Sequence, residues 1–536
     1  MSDDNNASGL AGELLARPPR QSPVIRLRLV PCLVGVFAAL GLPAAAAALY
    51  GLPWWASLSG AALAALLLAC LASPFFGLCV TAFTLIIACA NLFYLVSGTL
   101  QFHLYPYYFP LCFTCLGMLA RSGQGRLPLA SRSAFMPVLL LVLVAETATL
   151  LWTPHPAWGA ANIVRLFLNI LLYWTVLVLC DSPRRLDLLL KTVLASALMT
   201  SIGVIAAMYY ELDVHRYLTS KWALELHLYT IRAGGIESWN QSAGLLSVAS
   251  FVAAGYAVLA RTAWRRVGWG LGAMYFFCTM LLPASRGALL GFLGAAVLLI
   301  LALPVTRRLF IRKTTLFVVV LIAGMLITTP GYIDRLMVGF GYTGELLFSK
   351  KKASSSSDSD ATGLSTRFKI WAHGFRSLGD RPATILAGLG AGGFTYNIKV
   401  FEVHNIYLAF YYDMGLAGLF LLALLGFIFL GRTVPAYHVF QARLSGPPGG
   451  GGPASADFAL VMFYAVLTAL VAEVAVHGIV DYDLTSFVSR YAFFYLALYD
   501  VALRLAQARI AALAATPTPI PAAGLAAAPL DAAGPA

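Results

Sequence analysis

The chain has 536 residues, of which 60% are hydrophobic and only 11% charged, with a formal net charge of +13. Soluble domains carry about 25% charged residues, so water is excluded as the main solvent: apolar stretches long enough to cross a hydrocarbon core of about 30 Å as helices recur from Leu29 to about Ala508. Nucleic acid is excluded as the reason for the positive charge, because most of the cations sit in loops between apolar stretches and form no basic stripe with interleaved aromatics.

The polar N-terminal tail, 1–28, ends in Arg17, Arg20, Arg26 and Arg28. The first span, about 29–50, lacks a small-residue cleavage site and is followed by many others, so it is read as retained. Further spans are predicted near 53–71, 75–97, 105–120, 135–153, 158–180, 190–210, 241–260, 268–283, 287–306, 314–330, 404–431, 457–480 and 484–508. The predicted fold class is therefore all-α, a polytopic integral membrane protein of about fourteen transmembrane helices.

Cations in short loops mark the cytoplasmic side. Alternate connections carry Arg121, Arg126 and Arg132, then Arg184, Arg185 and Lys191, then Arg261, Arg265 and Arg266, then Arg307, Arg308, Arg312 and Lys313, then Arg432 and Arg443. The opposite turns at about 51–52, 98–104 and 154–160 contain no Lys or Arg. Both termini are thus expected in the cytoplasm, with a bundle at 29–330, a closing set of helices at 404–508 and a disordered tail at 509–536. Two long loops, 211–240 and 331–403, fall outside.

In the second loop Lys350–Thr362 is a solvated, Ser-rich insert. After it, Ser365 reads as the N-cap of a short helix on which Phe368, Trp371, Phe375 and Leu378 share a face while Lys369, Arg376 and Asp380 do not; that helix is expected to lie along the membrane surface. The stretch 446–455, rich in Gly and Pro, reads as a cytoplasmic linker. All eight cysteines lie in apolar stretches, where a thiol is a small hydrophobe, and the isolated Cys112/Cys115 pair has no second pair or nearby histidine to hold a metal.

Chemistry-bearing residues gather on the outer side. His404 and Asn405 stand at the entrance of a long apolar helix, whose positive dipole end disfavours an imidazolium and favours a neutral, proton-accepting ring. Glu402 opposes that effect or orients the ring, and read in isolation His404 is equally an ordinary interfacial residue. Asp413 is ruled out as its partner, since nine residues at 3.6 per turn lie about 180° around the helix. Arg286 follows the break Pro283-Ala284-Ser285, Arg232 lies among glycines before another span, and Arg367 opens the surface helix near the turn Gly388–Gly393, itself read as a tight bend. Outward arginines unpaired in sequence with acids suit a phosphate or pyrophosphate ligand, although each alone also fits a snorkelling cation.

Glu146 and Arg165 lie at similar depth in consecutive spans and are expected to pair. Glu211 and Asp213 resemble an acidic metal-binding pair but stand in the wrong loop for that use. Asp481 and Asp483, near His477 at the last outer turn, suit sugar hydroxyls or a solvated turn.

The segments RAGGIESWNQSAG, LPASRGALLGF, STRFKIWAHGF followed by GLGAGGF, and VHNIYLAFYYDMGLAGL resemble, in order, the sequence blocks of the O-antigen ligase and polymerase superfamily over roughly 230–420. The resemblance implies transfer of a glycan from an undecaprenyl pyrophosphate carrier to an acceptor sugar at the periplasmic face of the bacterial inner membrane, with no metal and no cofactor. It implies His404 as the catalytic general base and Arg286, Arg232 and Arg367 as the pyrophosphate-binding cations. Asn405 and Asp481 are the candidate contacts to sugar. The expected partners are the carrier-linked glycan, an acceptor saccharide (lipid A core or a carrier-linked repeat) and membrane lipid, with no nucleic acid. The leading expectation is an inverting O-antigen ligase; a polymerase of the same family differs in its acceptor. A secondary transporter, from another class, would show an inverted repeat and broken helices at the bilayer midplane rather than polar groups at the surface.

Overall fold

A computed structural model describes residues 54–87, 93–97, 100–129, 133–209, 239–282, 286–302, 364–379, 382–394, 405–445, 457–478 and 490–515. Helix α1 (Trp54–Ala72) ends a first unit at residue 72, and the elements that follow belong to a second. These are α2 (Pro74–Ile87), a hairpin of β1 (Phe93–Ser97) and β2 (Leu100–Leu104), α3 (Tyr108–Gly123), α4 (Met136–Ala148), α5 (Pro156–Leu179), α6 (Pro183–Tyr209), α7 (Trp239–Leu259), α8 (Ala263–Leu281) and α9 (Arg286–Ala302). Then come α10 (Leu364–Gly379), α11 (Pro382–Ala387), α12 (Ile406–Ser445), α13 (Phe458–Leu470) and α14 (Arg490–Ala515).

Local chemistry sets many of these starts. Proline opens α2, α5, α6 and α11, where the missing N–H has no carbonyl to find. Thr262 caps α8 by accepting the Arg265 N–H, and Asp457 caps α13 by accepting the Ala459 N–H. Long apolar runs do the rest: among the described residues five helical stretches are long and apolar enough to cross a membrane, namely Pro156–Leu179, Pro183–Ile205, Ser242–Leu259, Ile406–Phe440 and Phe458–Val476. The protein is a helical membrane protein.

Side-chain contacts fix the directions of the helices. The Tyr107 hydroxyl donates to Asn169 at 2.7 Å and Cys115 meets Thr175 at 3.3 Å, so α3 runs parallel to α5. The Tyr173 hydroxyl donates to Asp500 at 2.8 Å and Arg504 to the Leu177 carbonyl at 3.2 Å, so α14 runs parallel to both. Helix α8 returns antiparallel to α7, with Ser250 donating to the Ala273 carbonyl, and Phe292 of α9 stacks on Phe251 at 4.6 Å. One end of the bundle, here called lower, thereby collects Arg121, Arg126, Arg184, Arg185, Arg261, Arg265 and Arg266. The upper end collects the starts of α5, α7, α9, α12 and α14.

A buried ion pair ties the lower half together. Arg432 reaches Asp500 at 2.9 Å while Tyr173, itself bonded to Ser133, donates to the other carboxylate oxygen. Both oxygens of this buried carboxylate are therefore satisfied, as a charge in an apolar bundle requires.

Three expectations change. Within the predicted span 75–97 the helix runs to Ile87 and residues 93–97 form β1, paired with β2 in the register Ser97↔Leu100; aromatic and β-branched residues on both sides of Gly98 favour a hairpin over helix there. The predicted span 404–431 extends to Ser445 and is broken at Gly415, where φ is +62°. Helix α10 begins at Leu364, so Ser365 stands inside its first turn. The spans predicted at 29–50 and 314–330, the Ser-rich insert and the linker 446–455 lie outside the described residues.

Candidate active site

At the upper end a second hydrophobic cluster forms apart from the bundle core, from Leu378, Leu389, Phe394, Ala409 and Tyr412, with Trp371, Leu408 and Tyr411 against it. It joins α10, the glycine-rich turn 388–394 and the start of α12. Asn405 builds that start: its side-chain oxygen accepts the N–H groups of Tyr407 at 2.9 Å and Leu408 at 3.0 Å, so Asn405 is the N-cap of α12. Its neighbour His404 lies outside the described residues, as do Arg232, Asp481, Glu402, Glu211 and Asp213.

The break at Gly415 has a structural use. A Cβ there would meet the Leu386 carbonyl and, at 2.6 Å, the Gly388 nitrogen. The carbonyls of Tyr412 and Asp413, released from the helical ladder, accept instead the N–H groups of Leu389 at 2.6 Å and Gly390 at 3.1 Å. Positive φ at Gly388, Gly390 and Gly392 lets this turn fold tightly, so it is a bend rather than a dinucleotide loop. On its other side the turn meets the tip between α4 and α5, where the Ala391 N–H donates to Thr149 at 2.8 Å and Thr153 donates to the Ala391 carbonyl at 3.0 Å.

Helix α10 docks on α12. Phe394 and Tyr412 stack at 4.6 Å with 6° between their rings, and a Cβ at Gly374 would meet Tyr412 Cζ at 2.5 Å. The Tyr412 hydroxyl donates to the Trp371 carbonyl at 2.9 Å. The apolar face predicted to lie on the membrane surface is therefore partly occupied by protein: Leu378 is buried against α12, whereas Phe375 stays half exposed. Arg367 lies in the first turn of α10. Arg286 is the first residue of α9, and its backbone falls at the same upper end as Asn405.

Glu146 and Arg165 do not pair. Arg165 donates to Asn162 one turn before it, whereas Glu146 is fully buried, both its carboxylate oxygens lack a hydrogen-bond partner among the described residues, and it interacts electrostatically with Asp413. Similar depth put Glu146 and Arg165 at one level, but the helices turn them to different faces.

The sequence reading passed over Arg490. It opens α14 with 6% of its surface exposed, its guanidinium lies 4.1 Å from the ring of Tyr105 and 4.9 Å from that of Tyr491, and it donates to the Tyr491 hydroxyl. The signal was present: like Arg286, it is a cation placed directly at the upper start of an apolar helix. The wide-turned segment Val471–His477 is another feature without a sequence signature; it continues α13 and presents Glu473 against Gly244 of α7.

Residues 271–423, which contain α9 through the break in α12, match the family described as O-antigen ligase. A search of curated proteins finds no match.

Proposed function

We propose that the protein transfers a glycan from undecaprenyl pyrophosphate to an acceptor sugar at the periplasmic face of the inner membrane, as an O-antigen ligase acting on lipid A core. The observation that carries this reading is the docking of α10 on the first turns of α12, at the end of the bundle where α9 also starts and opposite the arginine-rich loops. Arginine-rich short loops mark the cytoplasmic side, which turns this end outward.

In this reading His404 accepts the proton of the acceptor hydroxyl as its oxygen attacks the anomeric carbon. The bond from that carbon to the pyrophosphate breaks, and its electron pair leaves with the carrier. Arg286, Arg232 and Arg367 hold the pyrophosphate and stabilise the charge it gains, a task for which a planar guanidinium fork suits two phosphate oxygens. Attack opposite the leaving group inverts the anomeric carbon and needs no metal. Asn405 and Asp481 contact sugar, and Asn405 also caps α12 through its side-chain oxygen.

The test is His404→Gln, assayed with purified carrier-linked donor in EDTA. Transfer should fall by about 10² to 10⁴, the usual contribution of a general base, while donor still protects the protein against thermal unfolding. Near-normal transfer overturns the assignment. In cells, loss of all capped chains on a lipopolysaccharide gel identifies a ligase, and a single capped repeat identifies a polymerase.

A further inference from the structure

We infer that Thr149 and Thr153, on the tip joining α4 to α5, are positioning residues for the proposed reaction: they hold the backbone of Ala391 on both sides and thereby fix the helix carrying Arg367 relative to the helix that Asn405 caps. The inference rests on the reading above for the roles of Arg367 and His404. The tip itself lies outside residues 271–423, the part of the chain that matches the family.

The geometry is a two-sided clamp on one short turn. Thr149 is buried; its hydroxyl donates its single hydrogen to the Glu146 carbonyl at 2.7 Å, which leaves a lone pair to accept the Ala391 N–H at 2.8 Å. Thr153 uses its hydrogen in the opposite sense, donating to the Ala391 carbonyl at 3.0 Å. Both backbone polar groups of one residue are thus satisfied by two side chains roughly 240 residues away in sequence. The preceding two N–H groups bond to Tyr412 and Asp413 carbonyls across the turn.

The fit leaves little slack. A Cβ at Gly390 would lie 2.7 Å from Thr153 Cβ, and one at Gly159 would lie 3.0 Å from the Ala391 oxygen. The turn is the connection between α10 and the start of α12, because α11 and residues 388–394 are the described chain between them. A helix that bears a phosphate-binding arginine must be placed to a fraction of an ångström for charge stabilisation to favour the transition state, and this turn ties α10 to α12. The clamp supplies that placement from the rigid helix pair α4–α5 rather than from the loop itself.

The experiment uses the full-length protein in nanodiscs with Thr149→Val, Thr153→Val, the double variant, and the Ser variants at both positions. Valine keeps the shape and removes the hydroxyl. Amide exchange across 388–394, read against peptides of α5, reports the clamp without any reaction, and donor-to-acceptor transfer reports its use. The double Val variant should exchange in this turn about tenfold faster or more, with kcat reduced about tenfold, KM for donor changed by less than about threefold, and exchange in α5 unaltered. Ser should restore both readouts. Wild-type exchange in the double Val variant overturns the clamp; faster exchange with unchanged kcat overturns its positioning role. Should the double variant fail to fold, Thr153→Val alone carries the same two readouts. A normally active His404→Gln instead defeats the proposed function and leaves the exchange result standing.

Discussion

The hydroxyl of Tyr412 donates to the backbone carbonyl of Trp371 at 2.9 Å, so that a residue inside α12 holds the middle of α10. Around that bond the Tyr412 ring stacks on Phe394 and fills the space left by Gly374. Tyr412→Phe removes one buried hydrogen bond, about 1 kcal/mol, and keeps the stack; glycan transfer should fall only a few-fold. Tyr412→Ala removes the ring, and transfer should fall at least about tenfold further with the melting of the bundle little changed. Equal activity of the Phe and Ala variants would show that docking of α10 is irrelevant to the reaction.

Two glycines of α12 should respond in opposite directions to alanine. Gly415 has φ of +62° and a Cβ there would strike the backbone of Leu386 and Gly388, so Gly415→Ala should be destabilising by about 2 kcal/mol or more. Gly426 sits in the helix with nothing within 4 Å of its Cβ position, so Gly426→Ala should be neutral or stabilising by about 0.5 to 1 kcal/mol. Limited proteolysis across 382–394 and thermal unfolding in detergent separate the two. Matching behaviour of both variants would contradict the break at Gly415.

Most of the bundle was legible because apolar length and loop charge carry it: the spans predicted at 158–180 and 241–260 match α5 and α7 to within two residues. The glycine turn was legible as a bend, since three closely spaced glycines supply the positive φ that other residues resist. What it binds was not, because the threonines that grip Ala391 lie far away in sequence and threonine in an apolar helix is commonplace. Depth along a helix can be counted from sequence but rotation between two packed helices cannot, which is why Glu146 was assigned to Arg165 instead of Asp413. The hairpin at 93–104 was lost for a different reason: an apolar run reads as a span until its short length and β-branched content are weighed against it.

Glu146 and Asp413 bring two carboxyl groups together inside the bundle, and among the described residues neither makes an ion pair. Like charges at short range in an apolar surrounding repel strongly, so an uncharged isostere should be accepted at Glu146. Thermal unfolding of Glu146→Gln at neutral pH should occur at or above the wild-type temperature, with transfer retained. Glu146→Lys would place a cation beside Asp413 but at the cost of a longer, poorly fitting chain, and is the harsher control. A clear drop in melting temperature for the Gln variant would mean that the carboxylate has a counter-charge.

Orientation of the whole site depends on which end of the bundle faces out, and the structure identifies reporters for each. Leu386 of α11 is 63% exposed at the upper end, and Trp264 near the start of α8 is 86% exposed at the lower end, beside Arg261, Arg265 and Arg266. In a background lacking the eight native cysteines, Leu386→Cys should be labelled in intact spheroplasts by a membrane-impermeant maleimide. Trp264→Cys should be labelled only after the membrane is opened, because arginine-rich short loops stay cytoplasmic. Both positions are exposed in the structure, and reaction of each variant after solubilisation in detergent separates sidedness from shielding by lipid. Labelling of Trp264→Cys from outside would invert the bundle, place the α10–α12 site in the cytoplasm, and remove the basis for a carrier-linked periplasmic donor.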